Sequence, residues 1–355
     1  MIKLNKNRVA MHVALCAGVL GLVGVLLWAD MGGMVLGTLT VAVLVLALVL
    51  ALRSLGWLLN KRFKPAKWLK VTGSTLLAVI VTLVSLCSLI YTVQDNMLFY
   101  NMDNPEARDF LKDKPGHSEV TFTAANGKTY HGMLHQITSA DGTVASQMGK
   151  APLLIYFGGN GECSSWRMRG LEENGRWQYY AGYSMLYIDY EGYGLNDGRP
   201  NDVNMYEEAL AVYDYAVQLP QVDADCVVVM GYSLGTGPAV YLAAHRPVSG
   251  LILAAPYATG HDLYNNMLPV FVGPMQLLEK QKLPSESFAP DITCPTLIFA
   301  SQNDEMVPYA SSQHLSQLIS GPVTFVTLTG YDHNSVFAAP EVWPGIQRFF
   351  EEADS

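Results

Sequence analysis

VVVMGYSLGTGPA, residues 227–239, is the stretch on which the fold turns. Val227 to Met230 are apolar without interruption, Gly231-Tyr232-Ser233-Leu234-Gly235 follows, and Thr236-Gly237-Pro238-Ala239 opens a helical segment. A short continuous apolar run suits a strand buried on both faces of a parallel sheet. Strand, tight turn and helix, in that order, is the setting in which a G-x-S-x-G pentapeptide presents a reactive serine. Such a turn is so tight that a side chain two positions either side of Ser233 would clash within it. The pentapeptide alone is a weak signal, because it also arises as an ordinary Gly-rich turn. Its setting makes Ser233 a candidate nucleophile.

Working outward, further short apolar runs lie at 152–157, 183–189, 250–254, 296–300 and 323–328. Helical candidates fall between and after them, at 165–181, 203–219, 234–245, 309–319 and 341–352. Residues 118–123 and 129–136 alternate around an Ala125-Asn126-Gly127 turn and read as an antiparallel hairpin. The polar stretch 138–150 reads as a loop. The expected fold class is α/β, a mostly parallel central sheet with helices on both faces. No repeat of 20–50 residues is evident, which excludes a solenoid.

A serine hydroxyl needs a base to become a nucleophile. Of the eight histidines, His333 stands in Gly330-Tyr331-Asp332-His333-Asn334, after the last apolar run and before the last helix. A nucleophile, acid, histidine chain order puts the base there. His261 is its rival; the others read as surface, capping or membrane-segment residues. The acid belongs after the next-to-last strand, where Ser301-Gln302-Asn303-Asp304-Glu305 offers Asp304, with Glu305 and Asp332 as neighbouring acids. A carboxylate there fixes the imidazole tautomer. An oxyanion hole needs backbone N–H groups aimed at the developing charge. One is expected from Leu234 and the other from Gly158-Gly159-Asn160-Gly161, where Asn160 and Gly159 both qualify. No metal-ligand spacing appears, and no metal or organic cofactor is implied.

The front of the chain differs from the rest. Half of all residues are hydrophobic, and residues 1–93 hold nine of the 22 basic residues but only one acidic residue, Asp30. The remainder has 13 basic against 30 acidic residues, a net of −17. A domain this acidic repels phosphate backbones, so nucleic acid is excluded as a partner. Three apolar stretches, about 9–29, 34–55 and 71–93, each approach the ~20 residues that cross a bilayer. Lysines and arginines precede the first and fill the loop between the second and third, from Arg53 to Lys70. Positive loops stay in the cytoplasm. The expectation is a membrane segment, 1–93, with a cytoplasmic N-terminus, followed by a domain, 94–355, on the extracytoplasmic side. Cys163, Cys226 and Cys294 are an odd number in that domain, so a complete disulfide framework is excluded.

Together these pieces resemble the α/β-hydrolase superfamily, over about residues 94–350. The resemblance rests on Gln94–Tyr100 (QDNMLFY), Tyr156–Gly161 (YFGGNG), Asp189–Gly198 (DYEGYGLNDG), Gly231–Gly235, Cys294-Pro295 leading to Asp304, and Gly330–Asn334. Within it, the chain looks like the membrane-associated, lid-poor serine hydrolases that include depalmitoylase-like and lysophospholipase-like members. Two departures are Gly158-Gly159 where many relatives have His-Gly, and Glu191 where many have Arg. The resemblance implies a membrane-anchored serine hydrolase acting on acyl esters or thioesters, with the bilayer and a lipid-like substrate as partners. An apolar segment, 267–278, reads either as a helical turn packed on the sheet or as a rim for an acyl chain. A peptidase or an acyltransferase on the same residues, or a catalytically idle membrane-anchored binding module, are the other readings.

Overall fold

The apolar runs form one eight-stranded sheet in the computed structural model of the chain, which describes residues 67–137, 149–180, 182–267, 269 and 271–353. Its strands are β1 (His117–Thr123), β2 (Thr129–His135), β3 (Ala151–Phe157), β4 (Ser184–Ile188), β5 (Val222–Tyr232), β6 (Gly250–Ala254), β7 (Thr296–Ser301) and β8 (Val323–Leu328). The described helices are α1 (Lys67–Leu98), α2 (Pro105–Leu111), α3 (Ser164–Glu173), α4 (Asp202–Ala216), α5 (Thr236–His245), α6 (Gly260–Met267), α7 (Ser285–Phe288), α8 (Tyr309–Leu318) and α9 (Val342–Ala353). Strand order is β1-β2-β4-β3-β5-β6-β7-β8. Pairing is antiparallel from β1 through β2 to β4 and parallel from β4 to β8. Parallel neighbours require crossover connections, and the intervening helices supply them.

The continuous apolar runs have their reason in the layers. On β5, Val228 and Met230 share one apolar cluster with Met168 and Leu171 of α3 and Ile346 and Phe350 of α9. Val227 and Val229 point to the other face, because successive side chains alternate, and they are equally buried. Neither face tolerates a polar position, so the alternation of a half-exposed strand never appears. Edge strand β1 has one exposed face, and there the alternation returns, whereas β2 is buried from Gly132 to His135.

Three expectations are corrected in detail. The helix expected over 165–181 ends at Glu173, because Gly175 turns left-handed at φ +60°, and a separate 3-10 turn, Arg176–Tyr180, completes the connection. Strand β5 begins at Val222, earlier than its apolar run, with a register irregularity against β3. Helix α2 was not expected; Asn104 caps it through Ala107 N at 2.9 Å, and Pro105 opens it. Ala107, Phe110 and Leu111 give it an apolar side, but seven residues are too few for that periodicity to mark a helix.

The chain divides into two compact units, Met1–Gln94 and Asp95–Ser355. The first two expected spans, 9–29 and 34–55, lie outside the described residues. In place of the third, at 71–93, α1 contains a 19-residue stretch, Ala78–Asn96, long and apolar enough to cross a membrane, with mean hydropathy 1.7. Cys87, Cys163, Cys226 and Cys294 are all free thiols.

Candidate active site

Ser233 stands at the carboxyl end of β5, where the strand gives way to a single 3-10 turn, Ser233–Gly235, and then to α5. Its backbone is left-handed, φ +52°, a conformation that costs a non-glycine residue roughly 1–3 kcal/mol. The turn closes because its flanking glycines have no side chain. A Cβ on Gly231 would lie 2.5 Å from the Gly235 carbonyl oxygen, and one on Gly235 would lie 2.1 Å from that of Phe157. Both obstacles are backbone and cannot swing away. Gly235→Ala is therefore expected to destabilise the fold by about 3 kcal/mol, as overpacking against a rigid wall does. A lowered urea midpoint with unchanged slope, followed by tryptophan fluorescence, checks it.

His333 opens the 3-10 turn His333–Ala338 that follows β8. Its Nε2 lies 2.8 Å from Ser233 Oγ, and its Nδ1 lies 2.8 and 3.0 Å from the two carboxylate oxygens of Asp304. A carboxylate only accepts, so Nδ1 carries the hydrogen and Nε2 is left to accept from the serine hydroxyl. Asp304 follows β7, and its Oδ1 also accepts from the amides of Met306 (2.8 Å) and Val307 (2.7 Å). The side chains of His333 and Asp304 are only 8% and 2% exposed, so water competes little for these bonds.

The neighbouring acids have other places. Glu305 accepts from the His333 backbone N–H at 3.1 Å. Asp332 caps the His333 turn through Ser335. Tyr232, beside the serine, stacks on the His333 ring and donates its hydroxyl to the His333 carbonyl at 3.0 Å. The imidazole is thus held at its ring nitrogen, its backbone and its face. His261 is bonded to Glu279 and to Asn265 instead. His131 meets Thr121, His245 caps α5 on the Tyr241 carbonyl, and His314 meets Glu286. His135 stacks on Trp177, and burial pushes its pKa down to about 3.

The loop after β3 passes directly beside the serine; a Cβ on Gly159 would be 3.5 Å from Ser233 Cβ. The structure separates the two amides considered there. Gly159 N–H donates to the buried Glu162 carboxylate at 2.9 Å and is engaged. Among the described residues, neither Asn160 N–H nor Leu234 N–H has a protein acceptor, so these two are the pair available to a ligand oxygen.

Several residues that brace this loop escaped the sequence reading. Tyr187, on β4, donates its hydroxyl to the Glu162 carbonyl at 2.9 Å. Tyr190 donates to the Gly158 carbonyl at 2.9 Å, and Tyr193 to Asn160 Oδ1 at 2.9 Å. The last two belong to the Asp189-Tyr190-Glu191-Gly192-Tyr193-Gly194 motif, whose physical role is thereby visible. Burial raises the pKa of Tyr187 and Tyr190 well above the ordinary phenol range, which keeps both hydroxyls as donors. Asp189 itself accepts from Ser164 N and Oγ at the start of α3, and burial pushes its pKa up to about 7 against the pull of those bonds. Among the described residues, no group of three His, Cys, Asp or Glu side chains converges as a metal site.

No family model matches the chain. A protein of Mycobacterium tuberculosis described as uncharacterized is 30% identical over 177 residues, 48% of this chain and 61% of that protein. An alpha/beta hydrolase domain-containing protein of Caenorhabditis elegans is 25% identical over 158 residues, 44% of this chain and 46% of that protein. The chain thus spans less than two thirds of the curated relatives it matches. Among solved structures, an alpha-beta hydrolase of Vibrio vulnificus superposes with TM-score 0.54 at 17% identity, covering 73% of this chain and 90% of that one. An esterase of Pyrococcus furiosus gives 0.52 at 15%, covering 72% and 95%. An acetyl xylan esterase of Paenibacillus gives 0.51 at 16%, covering 74% and 98%. These likenesses establish the α/β-hydrolase fold.

Proposed function

We propose that this chain of α/β-hydrolase fold is a membrane-anchored serine hydrolase that cleaves acyl esters or thioesters through an acyl-enzyme on Ser233. The observation that carries the reading is the unbroken line of hydrogen bonds from Asp304 through His333 to Ser233, at 2.8 Å on each side of the imidazole. Ser233 Oγ attacks the acyl carbonyl while His333 Nε2 takes its proton. The carbonyl oxygen becomes an oxyanion and accepts from Leu234 N–H and Asn160 N–H. As the tetrahedral intermediate collapses, the bond to the alcohol or thiol breaks, and His333 returns the proton to that leaving group. Water, deprotonated by His333, then attacks the acyl-serine; the acid departs and Ser233 regains its proton.

An ester is favoured because two solved structures that share the fold are esterases. An acyl group is favoured by the segment after α6. Its 3-10 turn Gly273–Leu278 buries no residue, Val272 is 63% exposed and Leu277 is 84% exposed. Those side chains are available to an acyl chain, where each methylene removed from water contributes about 0.8 kcal/mol. Anchoring is supported by α1, whose Val79, Ile80, Leu83 and Val84 are exposed apolar side chains within the 19-residue stretch that suits a bilayer. The lysine and arginine asymmetry before it supports a catalytic unit on the extracytoplasmic side.

The full-length protein is expected to hydrolyse 4-nitrophenyl esters of graded chain length and acyl thioesters, and to leave peptide amides intact. Peptide turnover without ester turnover would overturn the acyl reading.

A further inference from the structure

The Asp95–Ser355 unit contains a second cleft that the proposed hydrolysis does not use. It has a volume of about 600 Å³ and lies between α3, the Arg176–Tyr180 turn, the His333 turn and the start of α9. Neither Ser233 nor His333 lines it. Its walls combine three guanidinium groups, Arg167, Arg169 and Arg176, with three aromatic rings, Trp166, Phe337 and Trp343. The unit holds only 13 basic residues against 30 acidic ones, so three arginines on one cleft run against the charge of the domain.

These arginines are incompletely paired. Arg176 lies over the Trp343 ring at 5.1 Å and the Tyr179 ring at 5.9 Å, and no carboxylate pairs with it among the described residues. Arg167 is wedged between the rings of Tyr156 (4.8 Å) and Phe337 (4.2 Å). Its Nε faces the Glu162 carboxylate at 3.4 Å, yet neither Nε nor a buried terminal nitrogen makes a hydrogen bond to protein. Arg169 is bonded through Nε alone to Glu173, which also lines the cleft, one helical turn on, at 2.9 Å. A cation stacked on a ring gains from the contact, and stacking alone accounts for one arginine on an aromatic wall. It does not account for three guanidinium groups gathered on one cleft. Guanidinium groups held flat against rings keep their N–H edges fixed, the arrangement that recognises carboxylate or phosphate oxygens. The rings offer an apolar surface beside those donors, and Trp166 is 47% exposed. A volume of this size holds a small organic molecule.

We propose that this cleft is a binding site for an amphiphilic oxyanion, a carboxylate or phosphate monoester carried on an apolar body, separate from the site at Ser233. Arg176 and Arg169 receive the anionic oxygens, Arg167 adds buried positive charge behind them, and Trp166, Phe337 and Trp343 receive the apolar body.

The test is calorimetric titration of the full-length protein in nanodiscs with four probes of one carbon skeleton. They are 4-phenylbutyrate, 4-phenylbutyl phosphate, 4-phenylbutanol and 4-phenylbutylamine. At least one anion is expected to bind ten-fold or more tighter than the alcohol, and the amine not at all; whichever anion is tighter identifies carboxylate or phosphate as the source. In Arg169→Gln/Arg176→Gln, affinity for that anion falls at least ten-fold while fluorophosphonate labelling of Ser233 is unchanged. Ser233→Ala, by contrast, binds the anion as wild type does, so this outcome is independent of the hydrolase reading. Should the double variant fail to fold, Trp166→Ala removes one exposed wall and is expected to weaken the anion at least five-fold. Anions that bind no tighter than the alcohol, or unchanged anion affinity in a folded variant of either kind, would overturn the site.

Discussion

Ser233→Ala is expected to reduce ester hydrolysis by at least about 10⁴-fold and to abolish covalent labelling by a fluorophosphonate. The size follows from what the substitution removes. Without Oγ there is no atom to form the acyl-enzyme, and the imidazole loses the hydroxyl that lies 2.8 Å from its Nε2. The amides of Leu234 and Asn160 survive, so the residual rate is what oxyanion stabilisation and binding give alone. The elbow should survive as well, because alanine adds nothing to the turn. Equal far-ultraviolet circular dichroism for the two proteins establishes that chemistry, not folding, was lost. Labelling that persists unchanged in the variant would place the nucleophile elsewhere.

Asp304→Asn should cost about 10⁴-fold in kcat through a different route. The amides of Met306 and Val307 both donate to Asp304 Oδ1, at 2.8 and 2.7 Å. In the variant they select the carboxamide oxygen for that position. The NH₂ group then occupies the place of Oδ2 and donates toward His333 Nδ1. That nitrogen must accept, so the ring hydrogen moves to Nε2, and the imidazole can no longer take the serine proton. The protein is expected to fold normally, with KM changed far less than kcat. A variant within ten-fold of wild type in kcat would show that another group orients His333.

How far the site could be read in advance depended on whether its information is local. The strand, elbow and helix around Ser233 are written in consecutive residues, because both faces of β5 are buried and both flanking glycines are sterically required. That His333 and Asp304 lie beside Ser233 followed from their places after β8 and β7, since parallel strands deliver their carboxyl ends to one edge of the sheet. The choice between Asn160 and Gly159 was not legible. It turns on Glu162 reaching back to one amide, a matter of side-chain direction within a four-residue loop. The tyrosine braces were hidden for another reason. Tyr190 and Tyr193 act on residues 32 and 33 positions away, and no periodicity records such a pairing. The hidden cleft is similar, as Arg167, Arg176 and Phe337 meet only because α3 and the His333 turn flank the same face.

The left-handed backbone at Ser233 carries one more consequence. A residue at φ +52° would be more at ease as glycine, and stability alone gives no reason for a serine there. At this single position, robustness and usefulness pull apart: the inert protein would be the tougher one, and a laboratory selection for heat resistance alone would be drawn toward discarding the hydroxyl. Any effort to harden this protein should therefore hold position 233 fixed and seek its gains elsewhere.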